Sequence, residues 1–150
     1  MPRVTVVTRT KNRPRLLARA FASVRAQTMP DLELIVVNDG GDLAEVKRVR
    51  DEVLAAAPFP VRIIDNERPD GRESAINVGF QAAASDALVL LDDDDTWAPE
   101  FLERTTAYLD AHPEAVGVAT RAAMIRERVT GERIEEIERE VLASDLHQVT

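Results

Sequence analysis

Leu32-Glu33-Leu34-Ile35-Val36-Val37-Asn38-Asp39-Gly40-Gly41 is the stretch on which the fold reading turns. Residues 32–37 are apolar but for Glu33, a run of strand length without clean alternation, as expected of a strand buried on both faces of a parallel sheet. The four residues that follow are turn formers, so the strand ends abruptly and the chain reverses.

The same pattern recurs on either side. Residues 4–8 read as a first buried strand. Pro14 then suits the first turn of a helix, where its missing N–H costs nothing, and Leu16, Leu17, Ala20, Phe21 and Val24 fall on one helical face. After the turn at 38–41, Leu43, Val46, Val49, Val53 and Leu54 keep helical spacing until Pro58 and Pro60 stop them. Residues 61–64 give a third strand. A helix from about Arg72 carries Ile76, Gly79, Phe80 and Ala83 on its apolar side, and 87–91 give a fourth strand. A further helix holds Phe101, Leu102, Thr105 and Leu109 and ends at His112-Pro113. Residues 116–120 read as a fifth strand. Beyond them the pattern divides: Ile134, Ile137, Val141 and Leu142 fit a helical stripe, while Val129-Thr130-Gly131-Glu132 suits a hairpin turn between extended arms, the reading we favour. Short β-branched runs alternating with helical segments predict α/β architecture with a mostly parallel sheet.

Composition narrows the function classes. The net charge of -8, from 27 acidic and 19 basic residues, argues against a nucleic-acid partner. No cysteine is present, which removes disulfides, thiolate metal sites and a cysteine nucleophile. The N-terminal apolar run is too short for a signal peptide, and no stretch approaches the roughly 20 apolar residues of a membrane-spanning helix. Peripheral membrane attachment stays open.

In an open α/β sheet, ligands bind outside the carboxyl ends of the strands, near the point where strand order reverses. Residues 8–12, 38–42, 66–72 and 92–95 each follow a predicted strand, so parallel strands would deliver all four segments to one edge. The aspartate run 92–95 is the most informative. Neighbouring carboxylates repel, and a cluster ending a buried strand needs a cation or solvent to offset the repulsion. Magnesium or manganese suits such a short motif, because either takes one or two protein carboxylates and fills its other positions with water and phosphate oxygens. The alternative is a solvated acidic cap on the next helix. Asp39 could accept from a base N–H or a ribose hydroxyl, or serve only its turn. Arg72 could meet a phosphate or a base edge, or be a surface arginine. Gly79, inside a helix, points to tight packing. Trp97 reads as core more readily than as a pocket wall. His112 and His147 lack the spacing of a ligand pair.

Four segments in order resemble family 2 glycosyltransferases of the GT-A fold. Residues 4–14 are similar to the family's opening strand and its Pro-Thr-Tyr-Asn-Arg-type loop, with Arg9 and Lys11 in place of the usual proline and tyrosine. Gln27-Thr28 with residues 32–40 resembles the second-strand signature, and 71–79 the Ala-Arg-Asn-x-Gly helix, with Ile76 where arginine is common. Residues 91–99 are similar to the metal-binding Asp-x-Asp segment with its trailing aromatic and proline.

The resemblance implies a Rossmann-like three-layer α/β/α core over 1–120. Residues 121–150 would form a hairpin or helical tail that begins an incomplete acceptor half. It implies an inverting, metal-dependent, hexosyltransferase-like enzyme using Mn2+ or Mg2+ and a nucleotide-diphosphate sugar, with an acceptor among glycans, lipids or proteins. Arg9 and Thr10 would border the base, Asp39 would hydrogen-bond it, and Arg72 would help hold the nucleotide. Asp92 and Asp93 would lie by the ribose and metal, and Asp94, with Asp92, would coordinate the metal. The general base has no counterpart between 121 and 150, so the alternative is a nucleotide-sugar-binding module without turnover by itself. The expected location is the cytoplasm, including the inner face of a membrane. A phosphoacceptor domain is disfavoured because no lysine follows Lys47. A dinucleotide fold is disfavoured because no Gly-x-Gly-x-x-Gly turn follows the first strand.

Overall fold

The structure, a computed structural model, describes residues 1–66, 71–130 and 133–142. Its residues fall into two compact units, Met1–Arg104 and Thr105–Thr150, with the boundary inside a helix.

The first unit is built in chain order from β1 (Val4–Thr10), α1 (Pro14–Arg25), β2 (Leu32–Asn38), α2 (Leu43–Leu54), β3 (Val61–Asp65), α3 (Arg72–Gln81), β4 (Ala87–Leu90) and the start of α4 (Phe101–Ala111). The strands form one sheet in the order β3-β2-β1-β4, and every neighbouring pair is parallel. In register, Val4 lies opposite both Leu32 and Ala87, and Leu34 opposite Val61.

The pleat sorts side chains by a period of two. Val4, Val6, Leu32, Leu34 and Val36 pack on one side with Leu17, Phe21 and Val24 of α1 and Val46 and Val49 of α2. Val7, Ile35 and Val37 face the other way and pack with Ala75 of α3 and, around it, Val78 and Phe80. Helices on both faces make this a three-layer α/β/α unit, as predicted. All seven residues of β2 are buried, which explains its near-continuous apolar run.

Local signals position the helices. Pro14 opens α1. The Asp42 carboxylate accepts from the backbone N–H of Ala44 and Glu45, capping α2. α3 begins after Gly71, whose φ of 91° favours glycine. At Gly79 the helix lies so close to the sheet that a Cβ would collide with Val7 Cγ1 and stand 3.3 Å from Val37 Cγ2.

In the second unit, β5 (Ala122–Thr130) and β6 (Arg133–Leu142) form an antiparallel pair running from Ala122 opposite Leu142 to Thr130 opposite Arg133. The extended arms occur rather than a helical stripe; turn residues 131–132 and His147 lie outside the described residues. Arg126 and Glu138 form a cross-strand ion pair at 2.8 Å. The predicted strand at 116–120 does not form, and the extended chain begins at Ala122 instead. A strand exists through its ladder, and among the described residues nothing pairs with 116–120; Val116 is 97% exposed. No described helix is long and apolar enough to cross a membrane.

Gly79→Ala forces a methyl group into the α3–β1 contact, and overpacking of this kind costs about 1–3 kcal/mol. Urea denaturation should show the loss as a lower midpoint, and an unchanged midpoint would mean that α3 does not sit this close to the sheet.

Candidate functional site

The strand order turns back at β1. From β1 the chain builds outward through β2 and β3, then returns to place β4 on β1's other side. The carboxyl ends of β1 and β4 therefore flank the switch point, where open α/β sheets place their ligands. The backbone ladders run on past the strands. Leu91 N–H donates to Val7 C=O at 3.0 Å, Asp39 N–H to Thr10 C=O at 2.9 Å, and Asn66 N–H to Asn38 C=O at 2.9 Å. The segments after all four strands thus emerge at one edge, as the sequence pattern required.

The four consecutive aspartates have different environments. Asp93 is 1% exposed and both its oxygens are occupied: Oδ2 accepts from Thr10 Oγ1 at 2.8 Å and Oδ1 from Arg13 Nη1 at 2.7 Å. The same Arg13 nitrogen reaches Asp94 Oδ2 at 3.1 Å. These bonds hold the Arg13 guanidinium above its ordinary pKa, through the Asp93 hydrogen bond and charge and more weakly through Asp94 and Asp92. Asp92 Oδ2 accepts from Arg72 Nη2 at 2.7 Å. Asp92 Oδ1 is buried without a hydrogen-bond partner, and Arg9 Nε is likewise unpartnered. The nearest approach between those two side chains, Arg9 Nη2 to Asp92 Oδ1, is 3.9 Å, an ion-pair distance too long for a hydrogen bond.

Asp92, Asp94 and Asp95 each present a carboxylate oxygen, and these atoms lie within 4.8 Å of one another. The Asp95 N–H donates to Asp92 C=O at 3.1 Å, and this tight turn brings the three carboxylates together. Burial, then the Asp94 and Asp92 charges, raise the Asp95 pKa above the usual carboxylate range, with Arg72 opposing. Three convergent carboxylates, one of them with an orphaned oxygen, are a donor set suited to a hard divalent cation.

Asp39 lies at the end of β2, 7% exposed, and its Oδ1 accepts from Asn66 Nδ2 at 3.0 Å. Asn38 locks the turn below it, donating to Asp65 Oδ1 at 2.7 Å and Gly41 C=O at 2.8 Å. Asn12, at a φ of 55°, accepts from Asp42 N–H and so ties the β1–α1 loop to the β2–α2 loop. Gly41 is required there, because a Cβ would stand 2.9 Å from the Asn12 nitrogen.

Of the residues singled out by sequence, Arg9, Thr10, Arg72, Asp92, Asp93 and Asp94 come together at the β1–β4 junction, and Asp39 lies on the same edge one strand away. Arg13, Asn66 and Asp95 were not singled out. Asn66 opens the segment that follows the third strand, Arg13 lies one residue past the stretch 8–12, and Asp95 ends the aspartate run itself. Trp97 stacks on Phe101 with ring centroids 4.5 Å apart and packs against the core. His112, just past the end of α4, has its Nδ1 2.9 Å from the Tyr108 carbonyl of that helix.

Known proteins are similar to this chain in sequence and fold. The model of glycosyl transferase family 2 matches residues 5–147. An uncharacterized glycosyltransferase of Nostoc sp. is 34% identical over 102 residues, 68% of this chain and 31% of the relative. The amylovoran biosynthesis glycosyltransferase AmsE of Erwinia amylovora is 29% identical over 106 residues, 71% of this chain and 39% of its own. Among solved structures, the mannosyltransferase PcManGT of Pyrobaculum calidifontis, in complex with GDP-Man and Mn2+, superimposes with a TM-score of 0.68 at 25% identity, covering 76% of this chain and 34% of that one. TarS of S. aureus shares the fold at a TM-score of 0.66 and 21% identity, over 74% of this chain and 32% of that one. The chain spans about a third of the length of these relatives.

The raised pKa of Asp95 has a defined sign. Between its unfolded and folded values the folded chain binds the proton more tightly, so stability falls as pH rises through that window. Asp95→Asn removes this penalty. The variant should gain on the parent at neutral pH, and the gain should vanish below about pH 4, where the unfolded carboxylate is also protonated. Urea midpoints at both pH values check it, and a gap independent of pH would refute it.

Proposed function

The chain belongs to glycosyl transferase family 2, and on that premise we propose that it binds the nucleotide-diphosphate sugar of an inverting, metal-dependent glycosyl transfer. The single observation that carries this reading is the buried, unpartnered Asp92 Oδ1 beside the convergent carboxylates of Asp94 and Asp95 at the sheet's switch point. Asp92 and Asp94, joined by Asp95, would hold Mn2+ or Mg2+. The ion would stabilise the charge that builds on the departing diphosphate, a Lewis-acid contribution of several kcal/mol in typical sites. The Mn2+ and GDP-Man bound by the solved mannosyltransferase support the choice of ligand class.

The chain's own residues then have distinct tasks. Asp39 is buried at the end of β2, with one oxygen already taken by Asn66; its other oxygen is the candidate acceptor for a base N–H. Arg9 and Thr10, ending β1, border the base. Arg9 Nε, buried and unpartnered, is a donor available to the nucleotide. Arg72, at the first turn of α3, is 54% exposed in its side chain and placed to turn from Asp92 towards a phosphate. Asp93 works from inside the wall, as an anchor for the β1–α1 loop. Transfer would proceed by attack of an acceptor hydroxyl on the anomeric carbon from the face opposite the nucleoside diphosphate, which inverts the configuration. No residue is assigned to deprotonate that hydroxyl.

A second reading has an observation behind it. The chain spans about a third of its relatives, so it could bind the donor without turning it over. Release of nucleoside diphosphate from the donor in the presence of Mn2+ would favour the enzyme. Saturable binding without release would favour the binding module.

Asp94→Ala should abolish Mn2+-dependent nucleotide binding while leaving the fold intact, because Asp94 is exposed and supports no core contact. Thermal shift with a panel of nucleotide sugars, with and without Mn2+, reads this directly through stabilisation by mass action. Undiminished Mn2+-dependent affinity in the variant would remove Asp94 from the site.

A further inference from the structure

The aspartate run is not a bare acidic pocket. Among the described residues, four carboxylates, Asp92, Asp93, Asp94 and Asp95, face three guanidinium groups, Arg9, Arg13 and Arg72, leaving a local balance of about one negative charge. Arg13 is the most intimately placed of the three. Its Nη1 is shared between the buried Asp93 Oδ1 at 2.7 Å and the exposed Asp94 Oδ2 at 3.1 Å. Asp93 has no free oxygen, because Thr10 takes the other. Arg13 therefore cannot leave without stranding a buried charge, which is strongly unfavourable. A cation approaching Asp94 Oδ2 meets a resident positive group that is fixed from behind.

We propose that Arg13 is a built-in counter-cation of the acidic run: a positioning residue that weakens capture of a free dication and makes cation binding depend on a diphosphate bound beside it. The inference rests on the cation and diphosphate reading above. The physical reason is charge balance. A net charge near minus one, with Asp92 Oδ2 and Asp94 Oδ2 already engaged by arginines, holds a dication poorly. A diphosphate brings further negative charge and oxygen ligands to the same edge, so each ligand raises the affinity of the other by the same factor. Removing Arg13 makes the run more negative and frees Asp94 Oδ2, so the cation should then bind without help. Lysine at the same position keeps the charge.

Isothermal titration of the full chain with Mn2+, alone and in saturating GDP or UDP, tests this. In the parent protein, the diphosphate should raise Mn2+ affinity about 10-fold or more, within the usual range of site coupling. Arg13→Gln should tighten binding of Mn2+ alone about 10-fold, as expected for loss of a nearby like charge, and should shrink the coupling, while Arg13→Lys stays near the parent. Equal Mn2+ affinity in the parent and Arg13→Gln proteins would overturn the proposal. So would parent Mn2+ affinity that ignores a bound diphosphate, an outcome that decides the matter even if Arg13→Gln fails to fold. If the parent binds neither Mn2+ nor a diphosphate, the functional reading itself fails, which is distinct from a site that binds both without Arg13's influence.

Discussion

Parallel pairing of β1 to β2 on one side and β4 on the other is the constraint on which the chemistry depends. A parallel strand sends its carboxyl end the same way as its neighbours, so the loops after β1, β2, β3 and β4 share one edge. Because β1 is also where strand order turns back, the loops on either side of it diverge. The opening between them is spanned by a buried carboxylate, Asp93, which is held by Thr10 from the end of β1 and by Arg13 from the end of the following loop, just before α1.

This anchoring explains how one residue type can serve several purposes in adjacent positions. Asp93 turns inward and is saturated, so it is a structural member of the wall. Asp92 is half-buried, with one oxygen held by Arg72 and the other unpartnered. Asp94 and Asp95 turn outward, and Asp95 holds its proton more tightly because of partial burial and then its neighbours' charges. Four equal charges in sequence thus become an anchor and three convergent carboxylates. Arginines from β1, the β1–α1 loop and α3 offset the repulsion without filling the site.

Elements of the first unit were legible because burial of the central strands β1 and β2 on both sheet faces imposes a simple rule. Short runs rich in apolar residues at 4–8, 32–37, 61–64 and 87–91 became strands, the last ending at Leu90, and the helical stripe of Leu17, Phe21 and Val24 packed as its spacing required. The reading failed at 116–120, where apolar composition was mistaken for a strand although pairing partners, not propensity, make one. In the tail, the hairpin arms favoured over the helical stripe of Ile134, Ile137, Val141 and Leu142 are the ones that form, with a register shift between Arg126 and Glu127 that sequence periodicity does not reveal.

By itself, the order of residues determined a parallel α/β sheet with its polar segments gathered at one edge and an acidic run at the end of β4, because periodicity and turn chemistry are local properties. Only the tertiary structure decided which aspartate faces inward, that Asp95 joins Asp92 and Asp94, and that Arg13 is bonded to two of the four. Those assignments depend on a turn and on neighbours 80 or 81 positions away along the chain, and identical side chains in a row carry no local signal to tell them apart.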